Sequence, residues 1–255
     1  DCWFEAVFDL PKLRLVSATF NSDTEENAEF IAETLQDILL EARNLNPGFL
    51  QSKTGFIVKT TLTFPRDWGL GTSSTLVNNI AQWAAVDAYQ LLQNSFSGSG
   101  YDIANAQHNL PILYQLKNKK PLIKTVDFSP QFSDQLYFVY LNKKQNSKEG
   151  IAKYKENNDD FKNEIHRISE ISLEMCSVKS LLDFERLIEE HEQIIASIIK
   201  LKPVKELLFP DYLGAIKSLG AWGGDFVLVT GNKSTLQYFK EKGYETILSY
   251  SNMVL

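Results

Sequence analysis

The stretch Pro65-Arg66-Asp67-Trp68-Gly69-Leu70-Gly71-Thr72-Ser73-Ser74 decides how this chain is read, because it joins a strand pattern to a helix pattern through small residues and hydroxyls. Upstream, residues 56–64 place Phe56, Val58, Leu62 and Phe64 on one face and are rich in β-branched and aromatic types, which predicts a half-buried strand. Downstream, Leu76, Val77, Ile80, Trp83, Ala84, Tyr89 and Leu91 recur mostly at helical spacing over 73–93, with no internal Gly or Pro. That pattern predicts one long buried helix.

Gly69 and Gly71 let the backbone approach a ligand closely, and Thr72, Ser73 and Ser74 offer hydroxyls where the helix begins. The unpaired N–H groups and positive dipole end at such a point favour an anion by about 0.3–1 kcal/mol for an exposed charge. The same composition also serves a plain tight connection with a helix cap, so the loop by itself leaves both readings open. Two standard phosphate motifs are excluded. Thr72 stands where the P-loop needs Lys, and Ser74 stands where the dinucleotide fingerprint needs a third Gly or Ala.

Two further glycine-bearing elements lie along the chain. Ser97-Gly98-Ser99-Gly100-Tyr101-Asp102-Ile103-Ala104 follows the predicted helix, and Lys217-Ser218-Leu219-Gly220-Ala221-Trp222-Gly223-Gly224-Asp225 precedes an apolar strand pattern that begins at Phe226. A Pro-x-x-x-Gly-Leu-Gly-x-Ser-Ser loop, a Ser-Gly-x-Asp element and a late Gly-Ala-x-Gly-Gly turn, in this order, resemble the GHMP family of small-molecule kinases. That family includes galactokinase, homoserine kinase, mevalonate kinase and phosphomevalonate kinase. The Ser-Gly-Ser-Gly-Tyr-Asp-Ile-Ala run is most similar to the mevalonate and phosphomevalonate kinase branch, and the resemblance spans nearly the whole chain.

The resemblance implies ATP and Mg2+ as cofactors and assigns roles to residues. Trp68, Gly69, Leu70, Gly71, Thr72, Ser73 and Ser74 would wrap the ATP phosphates, with the Ser73 hydroxyl where the family often has a magnesium ligand. Asp102 matches the aspartate assigned as base toward the substrate hydroxyl, with Ser99 and Gly100 in its element on the substrate side. Gly220, Ala221, Gly223 and Gly224 match the late turn beside nucleotide and substrate, and Trp222 stands where a small residue is commoner. The implied fold is α+β in two domains. A ribosomal protein S5 domain 2-like domain is expected over 1–132 and a ferredoxin-like domain over 133–255, with the active site in the cleft between them.

The residue types suit phosphoryl transfer, which asks mostly for positioning and for N–H donors or positive charge around the moving group. A carboxylate beside the accepting alcohol can orient it and take its proton. The competing reading of Asp102 is an ordinary N-cap for a helix over 103–109. Beside the other two motifs, catalysis is the favoured reading.

Two features depart from the family pattern. The family's first motif, an early strand with a Lys or Arg and a Gly-Glu-Tyr or Gly-Glu-His turn, has no counterpart in this sequence. Leu91 stands where mevalonate kinases carry a magnesium-binding Glu, with Gln90 and Gln93 nearby, which leaves the metal to Ser73, Asp102 and the nucleotide. Alternatives therefore stay open: a diphosphomevalonate decarboxylase, which shares the fold and phosphorylates its substrate before losing carbon dioxide, and a non-catalytic ligand-binding or sensor protein.

Composition agrees with an enzyme of this size. With 255 residues and 44% apolar content, the chain can bury a large core in one or two domains. A net charge of −6 and a pI near 5.2 argue against a nucleic-acid binder. No run approaches the roughly 18–20 apolar residues of a membrane span, and no signal-peptide pattern opens the sequence. The expectation is a cytoplasmic protein whose partner is a small-molecule alcohol or phosphate; nothing speaks to oligomeric state.

Cys2 and Cys176 match no metal or redox spacing, and His108, His166 and His191 form no ligand pattern. His191 falls in register with Phe184, Leu187, Ile188, Ile194, Ile195 and Ile198, as a satisfied core histidine would. Other strands are expected at 2–8, 12–20, 112–116, 122–128, 135–141, 226–230 and 246–250. Helices are expected after the capping-box pattern Ser22-Asp23-Thr24-Glu25 and at 148–156, 161–176, 179–201 and 234–242, with a polar bridge at 129–134. In the second half this order predicts a sheet covered on one face by helices. Lys143, Lys144 and Lys148 read as a solvated loop in preference to a phosphate contact.

Overall fold

The computed structural model describes residues 2–20, 28–144, 154, 159–220 and 222–254. The chain divides into two compact units, Asp1–Arg66 with Leu70–Lys124, and Asp67–Gly69 with Thr125–Leu255.

In the first unit, β1 (Cys2–Asp9), β2 (Arg14–Phe20) and β3 (Phe56–Thr61) form a three-stranded antiparallel sheet in the order β2-β1-β3. Alternation in β1 sends Phe4, Ala6 and Phe8 inward, and Phe8 stacks on Phe56 across the β1–β3 pair. Helix α1 (Ala28–Leu45) covers this face with Ala32, Leu35, Ile38, Leu39 and Ala42, an apolar stripe at helical spacing. The Ser22–Glu25 pattern lies outside the described residues. Each large apolar side chain fully buried in such a core contributes about 1.5–3 kcal/mol.

The long helix predicted after the glycine loop is two helices, α2 (Thr72–Ala84) and α3 (Ala88–Ser95). Ala85 adopts left-handed geometry with φ 52°, and Val86 N–H donates to Ala81 O at 2.9 Å, which closes α2. The Asp87 carboxylate then accepts from Gln90 N–H at 2.7 Å and opens α3. Neither Gly nor Pro marks this stop, so hydrophobic spacing runs across it without a break. Helix α4 (Tyr101–Ala106) and the two-stranded pair β4 (Ile112–Lys117) and β5 (Lys120–Thr125) complete this unit.

The second unit runs β6 (Leu136–Tyr140), α5 (Lys162–Met175), α6 (Leu181–Ile199), α7 (Val204–Leu208), β7 (Ile216–Ser218), β8 (Phe226–Thr230), α8 (Lys233–Glu241), β9 (Ile247–Ser249) and a short α9 (Tyr250–Met253). Its four strands lie in the order β7-β8-β6-β9, and every neighbouring pair is antiparallel. With the chain order strand, helices, strand, strand, helix, strand, this is a ferredoxin-like arrangement. The helix expected at 148–156 lies outside the described residues except at Tyr154, as does Lys148.

Helices cover both faces of this sheet, where the sequence predicted one. The central strands Leu-Tyr-Phe-Val-Tyr and Phe-Val-Leu-Val-Thr carry apolar groups on both sides. Leu136 and Leu228 pack with Phe184 and Ile188 of α6, while Val139, Val227 and Val229 pack with Val204 of α7 and Phe239 of α8. The short β7 escaped the sequence reading because Ile-Lys-Ser offers no alternation long enough to count.

Candidate functional site

Gly71 is the N-cap residue of α2, with φ 71°, and no side chain caps the helix. The loop thus delivers Thr72, Ser73 and Ser74 as the first helical turn, with the Ser73 side chain exposed. Thr75 fastens the turn to the loop, since its N–H and hydroxyl donate to Gly71 O at 3.0 and 3.1 Å.

Asp102 is the second residue of α4, whose N-cap is Gly100. This placement removes the reading of Asp102 as a helix cap. Ile103 and Ala104 are buried, and Gln107 Nε2 donates to Asn78 Oδ1 at 3.0 Å, so α4 is tied to α2. The result sets Asp102 beside the loop: a Cβ on Gly71 would lie 3.8 Å from Asp102 Cγ. Desolvation by surrounding protein raises the carboxyl pKa above its ordinary value of 3.8.

Gly100 is demanded by its surroundings. Its φ is +80°, and a Cβ there would meet the Tyr89 ring at 2.8 Å. The Tyr114 hydroxyl donates to Ser99 O, and the Tyr101 and Tyr114 rings meet edge to face at 5.8 Å. This aromatic surround fixes where α4 starts and hence where Asp102 stands.

Leu91 is fully buried and offers no ligand in place of the family's Glu, while Gln93 Nε2 donates to Gly98 O at 2.6 Å. Among the described residues no group of three His, Cys, Asp or Glu side chains converges as a metal site. The Ser73 hydroxyl and Asp102 carboxylate are hard oxygen donors, which suits Mg2+, an ion that uses few protein ligands and keeps waters and phosphate oxygens. The donor chemistry fits that ion.

Trp68 and Gly69 belong to the second unit. The Trp68 ring meets Phe226 edge to face at 5.3 Å and Tyr140 at 6.4 Å. Gly69, with φ 67°, and Gly220, with φ 62°, both approach the Asp225 carboxyl. Gly224 is buried, whereas Gly223 is exposed with nothing within 4 Å of where its Cβ would be. Trp222 and Leu70 are half-buried, and Ala221 lies outside the described residues.

Two groups were missed by the sequence reading. Asp225 closes the late turn, and its signal in the sequence is an acid directly after paired glycines. Glu192 stands four residues after Ile188 on the apolar face of α6, and a buried acid demands a partner. Its carboxylate accepts from Ser218 N–H at 3.1 Å and pairs with Lys217 Nζ at 3.4 Å. Burial lowers the Lys217 pKa from 10.5. His191, expected as a satisfied core histidine, is half-buried and has its Nδ1 3.2 Å from Lys217 Nζ. Cys2 and Cys176 are free, and Lys143 and Lys144 are exposed, as a solvated loop would be.

No protein-family model and no curated protein sequence matches the chain. Solved structures do match it. The Lin0012 protein from Listeria innocua superposes with a TM-score of 0.63 at 16% identity, over 97% of this chain and 88% of that one. The mevalonate kinase of Methanococcus jannaschii gives 0.60 at 16% identity, over 95% and 82%. The chain has the GHMP kinase fold. Mevalonate diphosphate decarboxylase from Staphylococcus aureus shares this GHMP fold, with a TM-score of 0.52 at 12% identity over 95% and 92%. No helix among the described residues is long and apolar enough to cross a membrane.

Proposed function

We propose that the chain is an ATP-dependent kinase that transfers the γ-phosphoryl group of ATP to a small-molecule acceptor of the mevalonate pathway, mevalonate or phosphomevalonate. The observation that carries this reading is Asp102 beside Gly71, a carboxylate of raised pKa next to an uncapped helix start. The first-turn N–H groups of α2 and the loop residues Trp68 to Ser74 bind the nucleotide phosphates. Asp102 accepts the proton of the acceptor hydroxyl as that oxygen bonds to the γ-phosphorus and the bond to ADP breaks. A pKa nearer the working pH makes the carboxylate a stronger base for this step.

Ser73 and Asp102 would hold Mg2+ together with the nucleotide, and the bound ion offsets phosphate charge. Ser99 and Gly100, in the element that carries Asp102, line the acceptor side in this proposal. We place the boundary between the N-terminal and C-terminal domains at 132 and 133, and a cytoplasmic location follows from the same reading.

The likeness to the S. aureus decarboxylase supports a second reading, in which phosphorylation is followed by loss of carbon dioxide. Product analysis separates the two. A phosphorylated acceptor with all its carbon identifies a kinase, release of carbon dioxide from diphosphomevalonate identifies a decarboxylase, and nucleotide binding without product identifies a ligand-binding protein.

A further inference from the structure

We infer that Asp225 is the positioning residue for the Asp67–Gly69 arm of the nucleotide loop, a role that rests on the kinase reading of that loop. The basis is a close approach between residues far apart in sequence. A Cβ on Gly69 would lie 2.5 Å from Asp225 Cγ and 2.9 Å from Oδ2, and a Cβ on Gly220 would lie 3.3 Å from the same Oδ2. The carboxyl group therefore fills the space beside both glycines and sets how near the arm and the late turn come.

Asp225 is itself rigid. It is buried, its φ of 52° lies in the left-handed region, and its N–H donates to Lys143 O at 2.7 Å while its O accepts from Leu141 N–H at 2.8 Å. Such a backbone state in a residue other than glycine costs about 1–3 kcal/mol and persists only where the surroundings enforce it. The neighbouring contacts work toward the same end. Trp68 packs on Phe226, the next residue in the chain, and Tyr140, paired with Phe226 across the sheet, points its hydroxyl at Asp67 O and Oδ2, both at 3.1 Å. Burial, then the Asp67 carboxylate, push the Tyr140 pKa up to about 12, so it remains a donor. Each residue of the arm is thus held against β6, β8 or the residue before β8. A loop fixed in advance loses less entropy when phosphates bind.

The test is made on the full chain with Asp225→Ala, which removes the wedge, and Asp225→Asn, which keeps its shape. Acrylamide quenching of tryptophan emission, with and without Trp68→Phe in each background, reports how exposed Trp68 is. Calorimetry with Mg-ADP reports the loop's affinity, and KM for ATP is compared with KM for the acceptor. Asp225→Ala should expose Trp68 and weaken Mg-ADP by about tenfold or more, with KM for ATP raised alongside. Asp225→Asn should restore both. Gly69→Ala, which drives a methyl group into the carboxyl from the other side, supplies a second route and should reproduce Asp225→Ala. Unchanged Trp68 quenching in Asp225→Ala and Gly69→Ala, or an equal loss in Asp225→Asn, overturns the inference. Absence of Mg-ADP binding in the wild type overturns the kinase reading instead, and the quenching result then decides the wedge by itself.

Discussion

Asp102 and Gly71 lie side by side although about thirty residues separate them, with a Cβ on Gly71 destined for a point 3.8 Å from Asp102 Cγ. The packing of α4 on α2 creates this neighbourhood, and the uncapped start of α2 gives it a preference for anions. A carboxylate next to a helix start that favours anions is an arrangement that would suit phosphoryl transfer to an alcohol, the reading proposed above.

Asp102→Asn should lower turnover by about 10²–10⁴-fold while nucleotide affinity changes by less than about threefold. In the wild type the acid limb of the kcat/KM profile should lie above pH 3.8, the ordinary aspartate value, because the folded pKa is raised. The sign for stability is opposite to that for activity. A raised carboxyl pKa means that the folded state holds this proton more tightly, so the contribution to stability is present at low pH and is lost as pH rises through the folded pKa. Asp102→Asn should therefore raise Tm at pH 7, and the gain should vanish in acid; equal Tm values at pH 7 would contradict the desolvation argument.

Gly71→Val should weaken Mg-ATP binding by about tenfold or more, since a β-branched residue cannot hold φ 71° at the helix start without strain of about 1–3 kcal/mol. Calorimetric titration of the folded variant measures it. Undiminished affinity would remove this loop from the nucleotide site.

Asp87→Ala should lower the free energy of unfolding by about 1 kcal/mol, the usual loss for an N-cap carboxylate. Urea unfolding followed by circular dichroism gives the value. A change near zero would mean that Ala85 alone separates α2 from α3.

Glu192→Ala should cost about 3–5 kcal/mol because it strands the buried Lys217 ammonium and the Ser218 N–H. The double variant Glu192→Leu with Lys217→Met should recover much of that loss. If the double variant is no more stable than Glu192→Ala, the pair itself contributes more than its desolvation takes away.

The parts of this fold that could be read in advance are those whose periodicity is long. The α1 stripe, the Phe226–Thr230 strand and the α6 face stand where hydrophobic spacing placed them, because burial against a sheet enforces that spacing. The α2–α3 break depended on one left-handed alanine and one cap, and β7 on three residues, which is too little signal for a pattern. At the candidate site, spacing singled out the glycine loop and Asp102, and the fold brings Asp102 beside Gly71. The contact of Asp225 with Gly69 is tertiary, and no local rule reaches across so much chain.

The most direct test of the central claim is ADP release from Mg-ATP by the wild type and Asp102→Asn, assayed with mevalonate, phosphomevalonate, diphosphomevalonate, homoserine and galactose. The account predicts stoichiometric ADP with mevalonate or phosphomevalonate and near-silence from the Asn variant. ADP release that is independent of every acceptor, or turnover in Asp102→Asn equal to that of the wild type, would contradict it.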